Sequence, residues 1–214
     1  MYAYRALLPA LAAALLALSG ALIGWEAHQP QVISWDGWEP ELGRVRNKEL
    51  QFYSARPENG RIENGNLVIE ARREPYGNSD YTSASWRSKE RWTYGRFDVR
   101  AKVPRGRGLW VAIWLLGDHA KAADWPACGE IDIVETVGHK PDLIFASVHT
   151  AERNHVKRNQ WSKEYSAKHG EWHTYSLDWT DEFLAFGVDG KEYYRVKREE
   201  PWPFGRPHRL HVSL

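Results

Sequence analysis

Short apolar runs separated by turn residues follow one another along most of the chain, and they predict strands. Polar and apolar residues alternate with period two over residues 97–103, 172–179 and 183–188. Such alternation is typical of a strand that buries one face in a core. Asp189-Gly190 separates residues 183–188 from a further run at 192–196, which predicts a two-residue hairpin turn.

Residues 110–116 form a further run that is apolar at every position. Such a run predicts a strand that is buried on both faces. Residues 67–71 and 144–149 predict further strands, and no long stretch after residue 28 shows helical periodicity. Many short strands joined by Gly and Asp turns predict an all-β fold, built as a two-sheet antiparallel sandwich.

The first residues predict a targeting segment that is separate from the fold. A basic residue precedes an apolar stretch over residues 6–24, and this resembles a signal peptide cleaved after Ala21 or, with poorer flanking residues, after Ala27. The stretch is also about long enough to remain as a membrane anchor. We therefore assign residues 1–27 to a signal peptide or signal anchor. We expect residues 28–214 to form one secreted or periplasmic domain, with membrane anchoring as the alternative.

Composition excludes several classes of partner and site. The chain has 214 residues and a formal net charge of +1, so it offers no strong field to attract nucleic acid, and a neutral partner fits better. The single cysteine, Cys128, excludes an intramolecular disulfide and a four-cysteine zinc site. The twelve Trp and ten Tyr are either ordinary strand residues or flat apolar plates on which sugar rings stack.

The segment from Gly129 to Glu135 combines an apolar strand pattern with three carboxylates. Glu130 and Asp132 are two residues apart, so they share one face of a strand. Glu135 is five residues from Glu130, and a regular strand would turn it to the other face. A β-bulge that adds one residue, at Val134 or a neighbour, would return Glu135 to the first face.

Crowded carboxylates on an apolar strand repel one another and are costly to desolvate, so stability does not explain them. They predict a metal site or acid/base chemistry, and the structural alternative is a solvated strand face. Glycoside hydrolysis uses two carboxyl groups about 5–5.5 Å apart when one attacks the sugar directly. Glu130 and Glu135 have the necessary reach, and Asp132 between them can share a proton with the nucleophile. Like-charge repulsion is expected to raise the pKa of Glu135.

Gly129-Glu130-Ile131-Asp132-Ile133-Val134-Glu135 resembles the active-site strand of glycoside hydrolase family 16, in the bulged form typical of laminarinases. The resemblance extends over nearly all of the chain after the targeting segment. Other segments with counterparts in the family are Asn47-Lys48-Glu49-Leu50-Gln51-Phe52-Tyr53, residues 64–74, Tyr81-Thr82-Ser83-Ala84, Tyr94-Gly95-Arg96-Phe97, Gly108-Leu109-Trp110, Ile113-Trp114-Leu115-Leu116, Trp125-Pro126-Ala127-Cys128, Val148-His149 and Val188-Asp189-Gly190.

The resemblance implies a β-jelly-roll whose concave sheet forms an open cleft for a polysaccharide. It implies a retaining, endo-acting hydrolase of β-1,3 or mixed β-1,3/1,4 glucan that works by double displacement. Matched by position, Glu130 is the nucleophile, Asp132 its assistant and Glu135 the acid/base.

The resemblance also implies a set of substrate-binding residues, each with a structural alternative. Trp125 resembles a tryptophan that stacks on a sugar beside the scissile bond. Asn47 and Arg72 resemble positions that hydrogen-bond sugar hydroxyls, although Arg72 also suits a surface ion pair. His149 resembles a histidine near the acid/base, and a structural histidine is the alternative. The last two members are Trp110 and Trp114, which are four residues apart and therefore share one strand face. They either form the floor of the cleft or pack in the core.

The chain departs from the family pattern at its last residues. Family members continue beyond the strand that ends near Leu214 with a Gly-rich loop and a final strand, so we expect a jelly-roll that lacks this C-terminal strand. Some members hold a structural calcium with a ligand from that strand. Its absence argues against calcium here, and we expect no metal and no cofactor. Val111 stands where the family usually has proline, and we expect little effect.

Four other functions remain open at this stage. One alternative is a non-catalytic β-glucan-binding module on the same fold. A second is an enzyme acting on another polysaccharide such as agar or carrageenan. The chain is also compatible with a transglycosylase, or with a metal-binding sandwich that uses the three carboxylates. Loops set specificity on a shared fold, so one sequence does not rank the polymers. We expect a monomer whose partner is a polysaccharide.

Overall fold

The computed structural model describes residues 3–9, 35–118 and 124–214, with backbone alone for residues 3–9. Within these ranges the fold is all-β, with one short 3-10 helix at Trp35–Gly37. The strands in chain order are β1 (Ala3–Pro9), β2 (Trp38–Glu41), β3 (Gln51–Tyr53), β4 (Gly60–Glu63), β5 (Asn66–Tyr76), β6 (Ser79–Ser83), β7 (Ser85–Ser88), β8 (Gly95–Ala101), β9 (Trp110–Gly117), β10 (Glu130–Val137), β11 (Leu143–His149), β12 (Trp161–Ser166), β13 (His173–Trp179), β14 (Phe183–Val188), β15 (Lys191–Lys197) and β16 (His208–Ser213).

The strands form two packed layers, as predicted. One layer is a seven-stranded antiparallel sheet in the order β12-β11-β10-β9-β16-β7-β2. The opposite layer consists of a four-stranded sheet, β15-β14-β13-β8, and a sheet in which β1, β5, β6 and β3 follow one another and β4 pairs with β5. One pair departs from the antiparallel prediction, because β3 and β6 run parallel.

Period-two alternation places one side of each layer in a shared core. On β8, Phe97, Val99 and Ala101 are buried in the core. Arg96 on the same strand hydrogen-bonds Asp98 and reaches Asp178 on β13 at 2.9 Å. Such cross-strand pairs on the polar face fix the register while the apolar face packs.

The hairpin predicted at Asp189-Gly190 is confirmed. Val188 pairs directly with Lys191, and the two turn residues have φ values of 51° and 80°. Two consecutive positive φ values are the geometry that a two-residue hairpin requires, because this turn matches the twist of the flanking strands.

The prediction that residues 110–116 are buried on both faces is wrong for one face. Val111, Ile113 and Leu115 of β9 lie in the core, but Trp110 on the opposite face is 42% exposed. That face is the floor of a cleft, and no third layer among the described residues covers it. An apolar cleft floor and a buried strand face therefore give the same sequence pattern.

The targeting prediction falls mostly on residues outside those described, including both predicted cleavage sites. Ala3–Pro9 lies within them as β1, which pairs antiparallel with β5 from Ala3↔Arg72 to Pro9↔Asn66. Among the described residues, no helix is long and apolar enough to cross a membrane.

Gly117, at the end of β9, sets how closely β9 approaches the residues that lead into β10. Its N–H donates to the Gly129 carbonyl at 3.0 Å, and a Cβ on Gly117 would lie 2.0 Å from the Cys128 carbonyl oxygen. We predict that Gly117→Ala lowers the free energy of unfolding by about 2 kcal/mol, because a backbone carbonyl must move to make room. Urea denaturation measures the change.

Gly37→Ala is the matched control for this substitution. A Cβ there meets no atom within 4 Å, so the control should unfold at the wild-type urea midpoint. Equal midpoints for the two variants would show that the close approach at Gly117 is relieved without loss of stability.

Candidate active site

A β-bulge in β10 brings the three predicted carboxylates to the same side of the strand. Asp132 pairs with Trp114 on β9 and Val134 pairs with the next residue, Ile113, so Ile133 is the extra residue. Glu135 then lies opposite Ala112, in phase with Asp132. The bulge predicted from the five-residue spacing is therefore present.

The carboxylates lie in a cleft of about 420 Å³ on the outer face of the seven-stranded sheet. The side chains of Glu130, Asp132 and Glu135 all line it, with Trp110 and Trp114 on the neighbouring strand. The rest of its wall comes from β3 and the loop before it, from β5 and β6, from the loop before β9, and from Ala112, Ser213 and Leu214.

Each of the two glutamates accepts a hydrogen bond from one indole N–H. The Nε1–H of Trp125 donates to Glu130 Oε2 at 2.7 Å, and the Nε1–H of Trp110 donates to Glu135 Oε1 at 2.6 Å. Hydrogen bonds to an ionised carboxylate are among the stronger ones in proteins, and they fix its orientation. The two tryptophans therefore position the two carboxyl groups separately.

His149 completes the site from β11, where it pairs with Glu130. Its Nε2 lies 3.3 Å from Asp132 Oδ2 and 3.9 Å from Glu130 Oε1. Burial lowers the pKa of His149, so at neutral pH the imidazole is uncharged. It is a polar neighbour of the carboxylates and not a counter-cation.

Burial raises the pKa of all three carboxyl groups, and repulsion from a neighbouring carboxylate adds to this for Glu130 and Asp132. Burial raises the pKa of Glu130 to about 8, and the negative charge of Asp132 adds to the effect. Burial also raises the pKa of Asp132, with a contribution from Glu135. The pKa of Glu135 is raised by burial against the opposing hydrogen bond from Trp110. The cluster therefore holds protons at a pH where exposed carboxylates have lost theirs.

Asn47 and Arg72 both line the cleft, as the predicted substrate-binding role requires. Asn47 is exposed on the loop before β3 and has a φ of 53°. Arg72 is half-buried and contacts Glu70 at 3.2 Å, so the ion pair named as its alternative is also present. The geometry is compatible with both roles for Arg72.

The two tryptophans of β9 differ, although both line the cleft. Trp110 is exposed, whereas Trp114 is only 6% exposed. The His211 ring stacks on Trp114 with centroids 4.4 Å apart, and the Arg46 guanidinium lies 5.2 Å from the same ring. Trp110 is therefore the open plate of the pair. The buried Nε1–H of Trp114 has no hydrogen-bond partner among the described residues.

A half-buried ion pair holds the groups around Trp114, and the sequence analysis did not identify it. Glu41 of β2 accepts hydrogen bonds from Arg46 and from Ser85, the latter at 2.6 Å. Although burial opposes it, the contacts with His211 and Arg46 keep the pKa of Glu41 well below its usual range. No local pattern marks these residues, because they come together only through the β2-β7-β16 pairing.

His155 is a second residue that the sequence analysis missed. Its ring lies 4.8 Å from the Trp125 ring at an interplanar angle of 30°. It sits in the irregular loop between β11 and β12, where no periodicity could mark it.

Comparison with known proteins places the chain in a family of enzymes. The family model described as glycosyl hydrolases family 16 matches residues 47–214. The chain belongs to glycoside hydrolase family 16. A beta-glucanase of Rhodothermus marinus is 44% identical over an alignment of 195 residues that covers 83% of this chain and 68% of that protein.

Solved structures of family 16 enzymes share the fold. The laminarinase from Rhodothermus marinus superposes with a TM-score of 0.81 at 40% identity, over 85% of this chain and 80% of that chain. SCLam, described as a non-specific endo-beta-1,3(4)-glucanase, superposes with a TM-score of 0.78 at 40% identity, over 84% of this chain and 74% of that chain. These matches confirm the predicted jelly-roll.

The family 16 site also contains the atoms that a cation would need. One ligand atom each from Glu130, Asp132 and His149 lies within 4.8 Å of the others. Two of these groups, Glu130 and Asp132, are also members of the predicted catalytic set. The sequence prediction of no metal and no cofactor stays a prediction.

Ionisation of Glu130 opposes folding, which gives a test of the site's electrostatics. Its raised pKa means that Glu130 is protonated in the native state but ionised in the unfolded chain between pH 4.5 and about 8, so the contribution of this group to stability falls as pH rises through this range. We predict that Glu130→Gln is more stable than wild type by about 1–3 kcal/mol at pH 8 and equally stable at pH 4.

Chemical denaturation at the two pH values measures the difference. The control is Glu58→Gln, which removes an exposed carboxylate from a turn and should change stability little at either pH. The prediction is wrong if the stability difference between Glu130→Gln and wild type is the same at pH 8 as at pH 4. Glu130 would then ionise in the folded protein without a loss of stability.

Proposed function

We propose that the protein is a retaining, endo-acting glycoside hydrolase that cleaves β-1,3 or mixed β-1,3/1,4 glucan. The supporting observation is the bulged strand β10, which presents Glu130, Asp132 and Glu135 together in a tryptophan-lined cleft. The similar proteins named above are a beta-glucanase, a laminarinase and an endo-beta-1,3(4)-glucanase, which favours the same substrate class.

In the proposed reaction, ionised Glu130 attacks the anomeric carbon and forms a glycosyl-enzyme intermediate. Glu135 donates its proton to the leaving glycosidic oxygen and then takes a proton from the water that hydrolyses the intermediate. The Trp125 N–H supports the negative charge on Glu130 before attack. The raised pKa of Glu135 keeps the proton available for the first step.

Asp132 and His149 act on the nucleophile in this proposal. Asp132 is fully enclosed beside Glu130, and its raised pKa lets it hold a proton while Glu130 is ionised. The neutral His149 lies against both carboxyls and excludes water from them. Sharing one proton between two neighbouring carboxyls avoids two adjacent negative charges.

The cleft opens toward solvent, which suits attack within a chain. Trp110 offers an exposed apolar plate next to Glu135, and Asn47 and Arg72 place polar groups on the wall. Aromatic plates with a few polar groups are the usual composition of a ligand cleft. We assign the sugar contacts on this side of the site to these residues.

Hydrolysis is tested by incubating the purified full-length protein with laminarin, lichenan and agarose and measuring new reducing ends. We expect release from laminarin, with short and intermediate oligosaccharides appearing together from the start, and loss of release in Glu130→Ser. Glu58→Gln is the control and should keep wild-type activity.

Two outcomes would contradict the proposal. A folded protein that binds laminarin without releasing reducing ends would be the glucan-binding module. Release from agarose alone would place the enzyme among those acting on other polysaccharides.

We also propose that the chain is exported, on the basis of the apolar segment at residues 6–24. Cleavage after Ala21 or Ala27 would remove β1 together with the targeting segment. We predict that N-terminal sequencing of the exported protein starts at Leu22 or His28. An exported or membrane-bound protein that begins at Met1 would support the anchor.

A further inference from the structure

His155 lies outside the strand segment that resembles the family, and its ring packs against Trp125, which hydrogen-bonds the proposed nucleophile Glu130. His155 lies on the loop between β11 and β12, and its ring packs on that of Trp125 at 4.8 Å. It also meets His149 edge-on at 5.3 Å and 81°. Trp125 is the residue whose N–H reaches Glu130, so His155 is one step removed from the reacting atoms.

Trp125 lies in a turn, where its ring orientation is not set by a strand register. Residues 124–129 are held by turn hydrogen bonds, including Ala127 N–H to the Asp124 carbonyl at 2.9 Å. The indole is half-buried, and its Nε1–H points along the ring plane to Glu130. A ring packed on the indole face restricts rotation of that plane without competing for the N–H.

The loop that carries His155 is rigidly hydrogen-bonded although much of it is exposed. The buried Asn154 side chain donates to the Thr150 carbonyl at 3.0 Å and accepts from the Lys157 N–H at 3.1 Å. The Asn154 N–H donates to the Asn159 side chain at 3.1 Å. Such a network holds its neighbouring residue in one place.

Core packing does not require an aromatic residue at position 155. His155 is exposed, and the next residue, Val156, is 70% exposed. Burial and the neighbouring His149 lower the pKa of His155, so its ring is neutral where it packs. Its contacts among the described aromatic residues are with Trp125 and His149.

We propose that His155 is a positioning residue for the nucleophile: by packing on Trp125 it keeps the indole N–H aimed at Glu130. This inference rests on the proposed hydrolysis, in which Glu130 must be ionised to attack. Loss of the His155 ring would let the indole rotate, weaken the hydrogen bond to Glu130 and make its ionised form less stable.

A substitution at position 155 leaves in place the other titratable groups that face Glu130. They are Asp132 on the same strand, Glu135 beyond the bulge, His149 on β11 and the Cys128 thiol in the preceding turn. Because the His149 ring also contacts His155 edge-on, a change in the acid limb of the pH profile is interpreted together with the indole N–H signal of Trp125.

The activity test compares His155→Ala, His155→Phe and the neighbouring control Val156→Ala in the full chain. For His155→Ala we expect kcat on laminarin to fall roughly tenfold with little change in KM, because the nucleophile is misaligned. The acid limb of kcat/KM should move to higher pH, since Glu130 then needs a higher pH to ionise. His155→Phe, which keeps a ring on the indole, should restore both, and Val156→Ala should match wild type.

A second readout does not require activity. The indole N–H signal of Trp125 is identified in ¹H–¹⁵N spectra by its loss in Trp125→Phe. In wild type we expect this proton to be shifted downfield and protected from exchange. In His155→Ala it should move upfield and exchange faster, and in His155→Phe it should return.

The outcomes separate this inference from the proposed function. If the wild-type protein has no hydrolytic activity, the proposed function is wrong. The indole signal still decides in that case whether His155 positions Trp125. An unchanged indole signal in His155→Ala would overturn the inference whether or not the protein is active. So would an acid limb and kcat that match Val156→Ala in an active enzyme.

Discussion

Glu130, Asp132 and Glu135 lie together on one apolar strand, and the fold has to stabilise an arrangement that opposes folding. Each carboxyl is desolvated, and Glu130 and Asp132 are also repelled by a neighbouring carboxylate, so each ionises with difficulty. The partners provided are two indole N–H groups and one uncharged imidazole, and no Lys or Arg is paired with these carboxyls in the described part of the chain. A cation in contact would hold the carboxyls ionised, whereas dipolar partners orient them and leave the proton distribution free to change.

Apolar packing behind β10 offsets the free-energy cost of burying the three carboxyl groups. Ile131, Ile133 and Val134 are all buried in the shared core, and the bulge lets two consecutive residues, Ile133 and Val134, contribute to it. The same bulge returns Glu135 to the cleft side. One irregularity therefore increases burial on one face of the strand and assembles the carboxyls on the other.

Much of this could be predicted from the sequence, because alternation, turn residues and the five-residue spacing are local signals. The hairpin at Asp189-Gly190, the strands and the bulge all follow from neighbours along the chain. The environment of Trp114 could not, since it depends on Arg46 from a distant loop and on His211 from a distant strand. The exposure of Trp110 was also hidden, because an apolar plate for a ligand and an apolar core residue have the same sequence pattern.

The two sides of the site are held by different means, and this difference bears on how specificity can vary. On the β9 side, the half-buried Glu41–Arg46 pair and the stacked His211 hold Trp114, and Glu41 and His211 both belong to paired strands. On the other side, Trp125 depends on a turn and on His155 from an exposed loop. Loops accept substitution more readily than paired strands. Changes in the loop between β11 and β12 can therefore alter the nucleophile's surroundings while the sheet that carries Glu130 stays the same.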